Sequence, residues 1–257
     1  MQPQRFGLQG AEDAVRLSFL TVSAWWAVFT VPLIVWVRES KRAPEARIGG
    51  MLAGAMLQLK KTLLEIRRRR PLLLFLAAYW FYIDGVDTIV RMAVDYGLSI
   101  GLERDDLILA LLITQFVGFP SALAFGFAGR RLGTRKAIFL AISVYLAATV
   151  WASMMRSREE FFALAVTIGL VQGGIQALSR SCYADMIPAE RSAEFFGVYN
   201  MLGKFAAVMG PVLVGAVGLM ARSAGAGPDA ASRMSIVSIT LLFVAGLVLL
   251  AASGRAE

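Results

Sequence analysis

The chain has 257 residues, 58% of them apolar, with 26 Lys and Arg against 18 Asp and Glu, no histidine and one cysteine, Cys182. So much apolar side chain, in long blocks and at a mean hydropathy of +0.65, exceeds what one soluble core can bury and marks an all-α membrane protein. The same inventory excludes a disulfide framework, a His or Cys metal cluster and any Ser-His or Cys-His catalytic arrangement, so no catalytic residue, metal or cofactor is expected.

About seven transmembrane helices are predicted, at 17–37, 71–93, 106–128, 137–155, 161–183, 195–219 and 234–253. Each approaches the roughly 20 residues that cross about 30 Å of hydrocarbon. Residues 1–16 are polar and the first apolar run is too long for a signal core, so span one is expected to act as its own anchor. Three regions follow: an outside tail with its leading span (1–37), a basic joint (38–70) and a six-span block (71–257).

The joint holds ten Lys or Arg against three Glu and supplies +7 of the net charge of +8, which argues for a membrane-flanking loop rather than nucleic-acid binding. Placing it in the cytoplasm puts sixteen basic residues there, Arg130, Arg131 and Arg135 among them, against seven outside. The expected topology is N-terminus out and C-terminus in, in a cell or inner membrane. Within the joint, Leu52, Met56, Leu59, Leu63 and Ile66 recur at helical spacing ahead of the run Arg67 to Arg70. That pattern fits an amphipathic interfacial helix, either contacting anionic lipid or another domain or serving as a solvated linker.

Span two carries the sharpest signal, because Asp84, Asp87 and Arg91 lie within an otherwise apolar stretch. Charges facing lipid cost about 2.5–3.5 kcal/mol each on insertion scales, so such residues usually face a protein interior or watery path. At about 100° per residue all three share one helix face. The alternative is an intrahelical Asp87 to Arg91 pair that neutralises itself. Spans five and six add Gln172, Gln176, Arg180, Asn200 and Lys204, and span three adds Gln115. Spans one, four and seven have no charged, Asn or Gln residue in their interiors, so every third helix is compatible with lipid all round.

Counting 1.5 Å per residue, these groups can meet around one central cavity. There carboxylates suit an amine or a coupling proton, Arg or Lys suits a carboxylate, and amides supply neutral hydrogen bonds. The expected substrate or proton pathway is Asp84, Asp87, Arg91, Gln172, Gln176, Asn200 and Lys204. Arg180, with Arg130, Arg131 and Arg135, is expected to act as a gate or cytoplasmic anchor. The cluster Tyr79 to Tyr82 is assigned to packing, Tyr82 being the one worth testing as a ligand. Small residues at Gly118, Ala122 and Gly126, and at Gly169, Gly173, Ala177 and Ser181, mark helix seams, and Gly210-Pro211 marks close packing with a bend.

The polar rhythm resembles the C-terminal half of a major facilitator superfamily transporter. Gly129-Arg130-Arg131-Leu132-Gly133-Thr134-Arg135-Lys136 resembles that fold's basic loop signature without its acidic residue. Two longer strings, Tyr79 to Ile89 and Gly173 to Ser181 continuing through Ile187-Pro188 and Glu190 to Gly197 to Gly203-Lys204-Phe205-Ala206, resemble the vacuole-effluxer-like branch, also called the unknown-major-facilitator family. The resemblance implies that the seven spans match helices 6 to 12 of a major facilitator fold, so that the partner in transport is a missing N-terminal half, on the same gene or a separate chain. It also implies secondary active transport of a small polar solute, with amino-acid efflux as the activity. A seven-helix receptor fits the topology alone. An intramembrane aspartyl enzyme fits poorly, because Asp84 and Asp87 lie on one helix.

Overall fold

A computed structural model describes residues 10–37, 48–99 and 101–254. The tail 1–9 and the basic segment 38–47 of the expected joint lie outside them. The described residues are helical with no strands, and seven segments are long and apolar enough to cross a membrane: 12–36, 70–99, 104–132, 134–154, 158–186, 189–223 and 228–254. The chain divides into two compact units, Met1–Gly54 and Ala55–Glu257.

The first unit contains α1 (Ala11–Trp36). Its side chains are exposed all round, including Phe19, Trp25, Trp26, Phe29 and Ile34. Its hydroxyls are satisfied internally: Ser18, Thr21, Ser23 and Thr30 donate to main-chain carbonyls three or four residues back at 2.7–2.8 Å. Hydroxyls bonded in this way can sit in hydrocarbon without leaving a donor unmet.

The second unit holds the main part of α2 (Ile48–Arg68), then α3 (Arg70–Ser99), α4 (Arg104–Leu132), α5 (Thr134–Met154) and α6 (Arg158–Met186). A 3-10 turn (Ala189–Arg191) leads into α7 (Ser192–Ala206), α8 (Met209–Ser223), α9 (Pro228–Ser238) and α10 (Thr240–Gly254). Helix α6 starts on a capping box in which Ser157 accepts from the Glu160 N–H at 3.3 Å while Glu160 accepts from the Ser157 N–H at 3.2 Å. Between α4 and α5 the chain turns on Gly133 alone, whose φ of +88° a side chain would strain.

The expected spans two, six and seven differ in detail. Helix α3 runs on to Ser99, past the apolar block, because Tyr96 is buried and its hydroxyl donates to the Ala152 carbonyl at 2.6 Å. Span six is two helices, α7 and α8, broken at Ala207–Val208. Pro211 removes the N–H that would have bonded the Ala207 carbonyl, and its ring crowds that carbonyl. Span seven breaks at Ile239, where Ser235, Ser238 and Thr240 donate to carbonyls three or four residues back and compete with the helix ladder.

The small-residue seam joins α4 to α6. A Cβ on Gly169 would lie 2.8 Å from the Thr114 carbonyl oxygen, and one on Gly173 would lie 3.0 Å from that of Gly118 and 2.9 Å from Ala122 Cβ. Gly126 touches nothing. Helices α3 and α10 meet in the same way through Gly85 against Phe243 and Gly246 against Tyr82. Helix α5 packs one face, Ile138, Ile142 and Tyr145, into the core and leaves Phe139, Leu140 and Trp151 outside.

The amphipathic helix of the joint docks on this unit along a stripe narrower and more polar than its hydrophobic spacing suggests. Ile66 and Thr62 are buried and Leu59 is half-buried, whereas Met56 and Leu63 stay exposed and the side chain of Leu52 lies outside the described residues. Arg191, ahead of α7, donates to Glu65 at 2.6 Å and to Glu194 at 2.9 Å. Glu194 in turn accepts from Gln58 at 2.5 Å and Thr62 at 3.1 Å. Charge pairing thus ties α2 to the start of α7.

Candidate functional site

Three helices supply a polar cavity of about 340 Å³. Helix α3 contributes Tyr79, Ile83 and Asp87 at intervals of four, α6 contributes Gln176 and Arg180 one turn apart, and α7 contributes Tyr199, Asn200, Gly203 and Lys204. Arg180, Asn200 and Lys204 are exposed and Asp87 is half-buried, so the charged groups look into the opening. One carboxylate, two cations and two amides converge, in a volume at the small end of the range for small-molecule sites.

The wall behind them is aromatic. Tyr79 stacks on Tyr199 with centroids 4.1 Å apart, and Tyr199 stacks on Tyr183 at 4.9 Å. Tyr183 is fixed by donation to the Phe195 carbonyl at 2.9 Å. Tyr82, one turn from Tyr79 and in edge-to-face contact with it at 5.7 Å, is fully buried and shares a hydrogen bond of 2.6 Å with Ser179. The tyrosine that borders the cavity is therefore Tyr79, and Tyr82 is the packing residue, the reverse of the expected roles.

Asp87, Gln176, Arg180, Asn200 and Lys204 share this cavity, and Asp84, Arg91 and Gln172 are outside its lining. Asp84 is buried and its Oδ1 accepts from the Gly210 N–H at 3.0 Å, capping the start of α8 just where the span breaks. The Thr88 hydroxyl lies beside this carboxylate, and among the described residues no hydrogen bond of good geometry reaches Asp84 Oδ2 or Thr88 Oγ1. A Cβ on Gly210 would meet Thr88 Oγ1 and lie 2.8 Å from Thr88 Cβ, so only glycine permits this approach of α8 to α3. Arg91 is exposed one turn beyond Asp87, and no ion pair joins the two among the described residues. Gln172 is half-buried with an unpartnered Oε1 one turn from Gln176.

The basic loop residues sit elsewhere. Arg130 lies over the Phe127 ring at 4.5 Å, Arg131 is exposed, and Arg135 reaches Met186 Sδ at 4.0 Å. Arg180, grouped with them on the expectation of a gate or cytoplasmic anchor, lines the cavity. Tyr79, Ile83, Tyr199 and Gly203 complete the lining and were not expected there. The signal for Tyr79 was present, since it lies two four-residue steps before Asp87 on α3.

The sequence matches the family described as "Vacuole effluxer Atg22 like" over residues 5–254. It is 36% identical over 241 residues to the MFS-type transporter YxiO of Bacillus subtilis, covering 93% of this chain and 53% of that protein. It is 28% identical over 239 residues to autophagy-related protein 22 of Pyricularia oryzae, covering 82% of this chain and 35% of the relative. Autophagy-related protein 22-2 of Aspergillus clavatus is 26% identical over 229 residues, at 79% and 38%. The chain thus spans about half the length of the bacterial relative and less of the fungal ones.

Proposed function

The chain is an integral membrane protein that belongs to the Atg22-like vacuole effluxer family of major-facilitator-type transporters, and from that premise we propose that it forms the solute-binding half of such a transporter. The solute is a small zwitterion, an amino acid in the first instance, moved by secondary active transport. The reading rests on one observation: Asp87, Arg180 and Lys204 face a common cavity with Gln176 and Asn200 between them.

Asp87 takes the ammonium group, Arg180 and Lys204 the carboxylate, and the two amides orient the molecule through neutral hydrogen bonds. The stacked Tyr79 and Tyr199 give the side chain an apolar wall. Asp84, with one carboxyl oxygen on Gly210 and the Thr88 hydroxyl beside the carboxylate, is the candidate for a coupling proton, taken up or released as the α3–α8 joint changes. Transport by alternation requires a second helical half on the far side of the cavity, which relatives of about twice this length can accommodate. The basic end of the bundle lies in the cytoplasm, as the bias of Lys and Arg directs.

Binding of radiolabelled L-leucine to the full chain in nanodiscs, and its exchange in proteoliposomes holding the intact transporter, test this assignment. Asp87→Asn and Lys204→Gln are each expected to weaken binding about tenfold or more, the worth of one charge-assisted hydrogen bond. Asp84→Asn is expected to leave binding in place and remove the pH dependence of exchange. Unchanged leucine binding in both cavity variants would overturn the assignment.

A further inference from the structure

A second cavity, of about 410 Å³, lies farther along the same helices, and nothing in the reading above uses it. Its charged groups are Asp95 on α3 and Arg222 on α8, with hydroxyls from Ser99 and Ser232 and apolar surface from Met92 and Leu219. Neither Asp95 nor Arg222 forms an ion pair among the described residues, whereas the neighbouring Asp229 and Arg233 pair at 3.2 Å and Arg233 also donates to the Ser153 carbonyl at 2.7 Å. An acid and a base lining one mainly apolar hollow, without an ion pair among the described residues, present the complement of a zwitterion with an apolar arm.

The two cavities are ordered along both walls. On α3 the first uses residues 79–87 and the second 92–99, and on α7 and α8 the first uses 199–204 and the second 214–222. Thr88 and Gly210 lie between the two sets of residues and are in contact, with Gly210 also donating to Asp84 at 3.0 Å. A solute passing along this face meets one charged cavity, then a closed joint, then another.

We infer that the cavity around Asp95 and Arg222 is a second binding site for the same class of solute, a small zwitterion with an aliphatic arm, on the opposite side of the joint. Asp95 receives the ammonium, Arg222 the carboxylate, and Met92 and Leu219 the arm. The inference rests on the proposed zwitterion pathway and gives that pathway a second station.

Equilibrium binding of radiolabelled L-leucine to the full chain in phosphatidylcholine nanodiscs decides it. Two sites per chain are expected, with Arg222→Gln removing one and Lys204→Gln the other. Asp95→Asn is expected to weaken the far site for leucine about tenfold while leaving its affinity for isocaproate, which has no ammonium, unchanged. Because Asp95 and Arg222 are exposed, these variants leave the packed core untouched. A single site lost on Lys204→Gln but kept on Arg222→Gln overturns the far site and leaves the central one standing. A single site with the opposite pattern overturns the central assignment and leaves the far one. No binding by the unaltered chain overturns both.

Discussion

The α4–α6 seam and the α3–α8 joint both depend on glycine, yet they differ in what the missing side chain lets in. At the seam, Gly169 and Gly173 face the Thr114 and Gly118 carbonyls and Ala122, so one helix backbone lies against another. At the joint, Gly210 faces the Asp84 carboxylate and the Thr88 hydroxyl, buried polar groups beside a helix break. Apolar close packing has one good arrangement and resists change. A buried polar contact is held by directional hydrogen bonds in a low dielectric, and its free energy depends on how fully those bonds are made. The contrast predicts a rigid seam at Gly169 and Gly173 and a more changeable contact at Gly210.

Four variants break or sharpen that contrast. Gly210→Val is expected to cost most, about 3 kcal/mol, because it drives a branched side chain into Thr88 and also displaces the Asp84 cap. Denaturant titration of the full chain followed by circular dichroism measures it, and the same variant should lose solute exchange. Gly169→Val is expected to cost about 2 kcal/mol in the same titration, through collision with the Thr114 backbone. Equal folding losses with exchange retained in Gly210→Val would erase the distinction between joint and seam.

Asp84→Ala removes the acceptor of the buried Gly210 N–H and is expected to cost about 1–2 kcal/mol. Hydrogen exchange at the Gly210 amide should rise with it, while the amides around Gly169 stay protected. Gly126→Ala is the smallest: nothing lies near the added methyl, so a gain of about 0.5–1 kcal/mol is expected from helix propensity alone. A measurable loss there would show that the seam extends further along α4 than its contacts indicate.

Much of this was legible along the chain. Apolar blocks of about twenty residues locate the seven spans because hydrocarbon thickness is a one-dimensional constraint. Intervals of four between small residues locate the α4–α6 seam because a helix face repeats at nearly that interval. The same periodicity groups Asp87 with the polar residues of spans five and six. Asp84 is not in the cavity lining, because three residues turn a side chain about 60° away from Asp87, and it meets Gly210 of a neighbouring helix. Periodicity failed for Tyr199, whose place on the wall depends on Tyr79 reaching it from another helix.

The sequence by itself determined the membrane class, the number of spans, the basic end of the bundle and the residue types available for solute chemistry, since each follows from composition or local periodicity. Tertiary structure alone decided which carboxylate faces the cavity and which caps a broken helix, that the joint helix is tied to α7 through Arg191, and that a second acid and base share a hollow beyond the joint. These depend on the rotation and approach of helices far apart in the chain, and that arrangement is set by packing rather than by any interval along it.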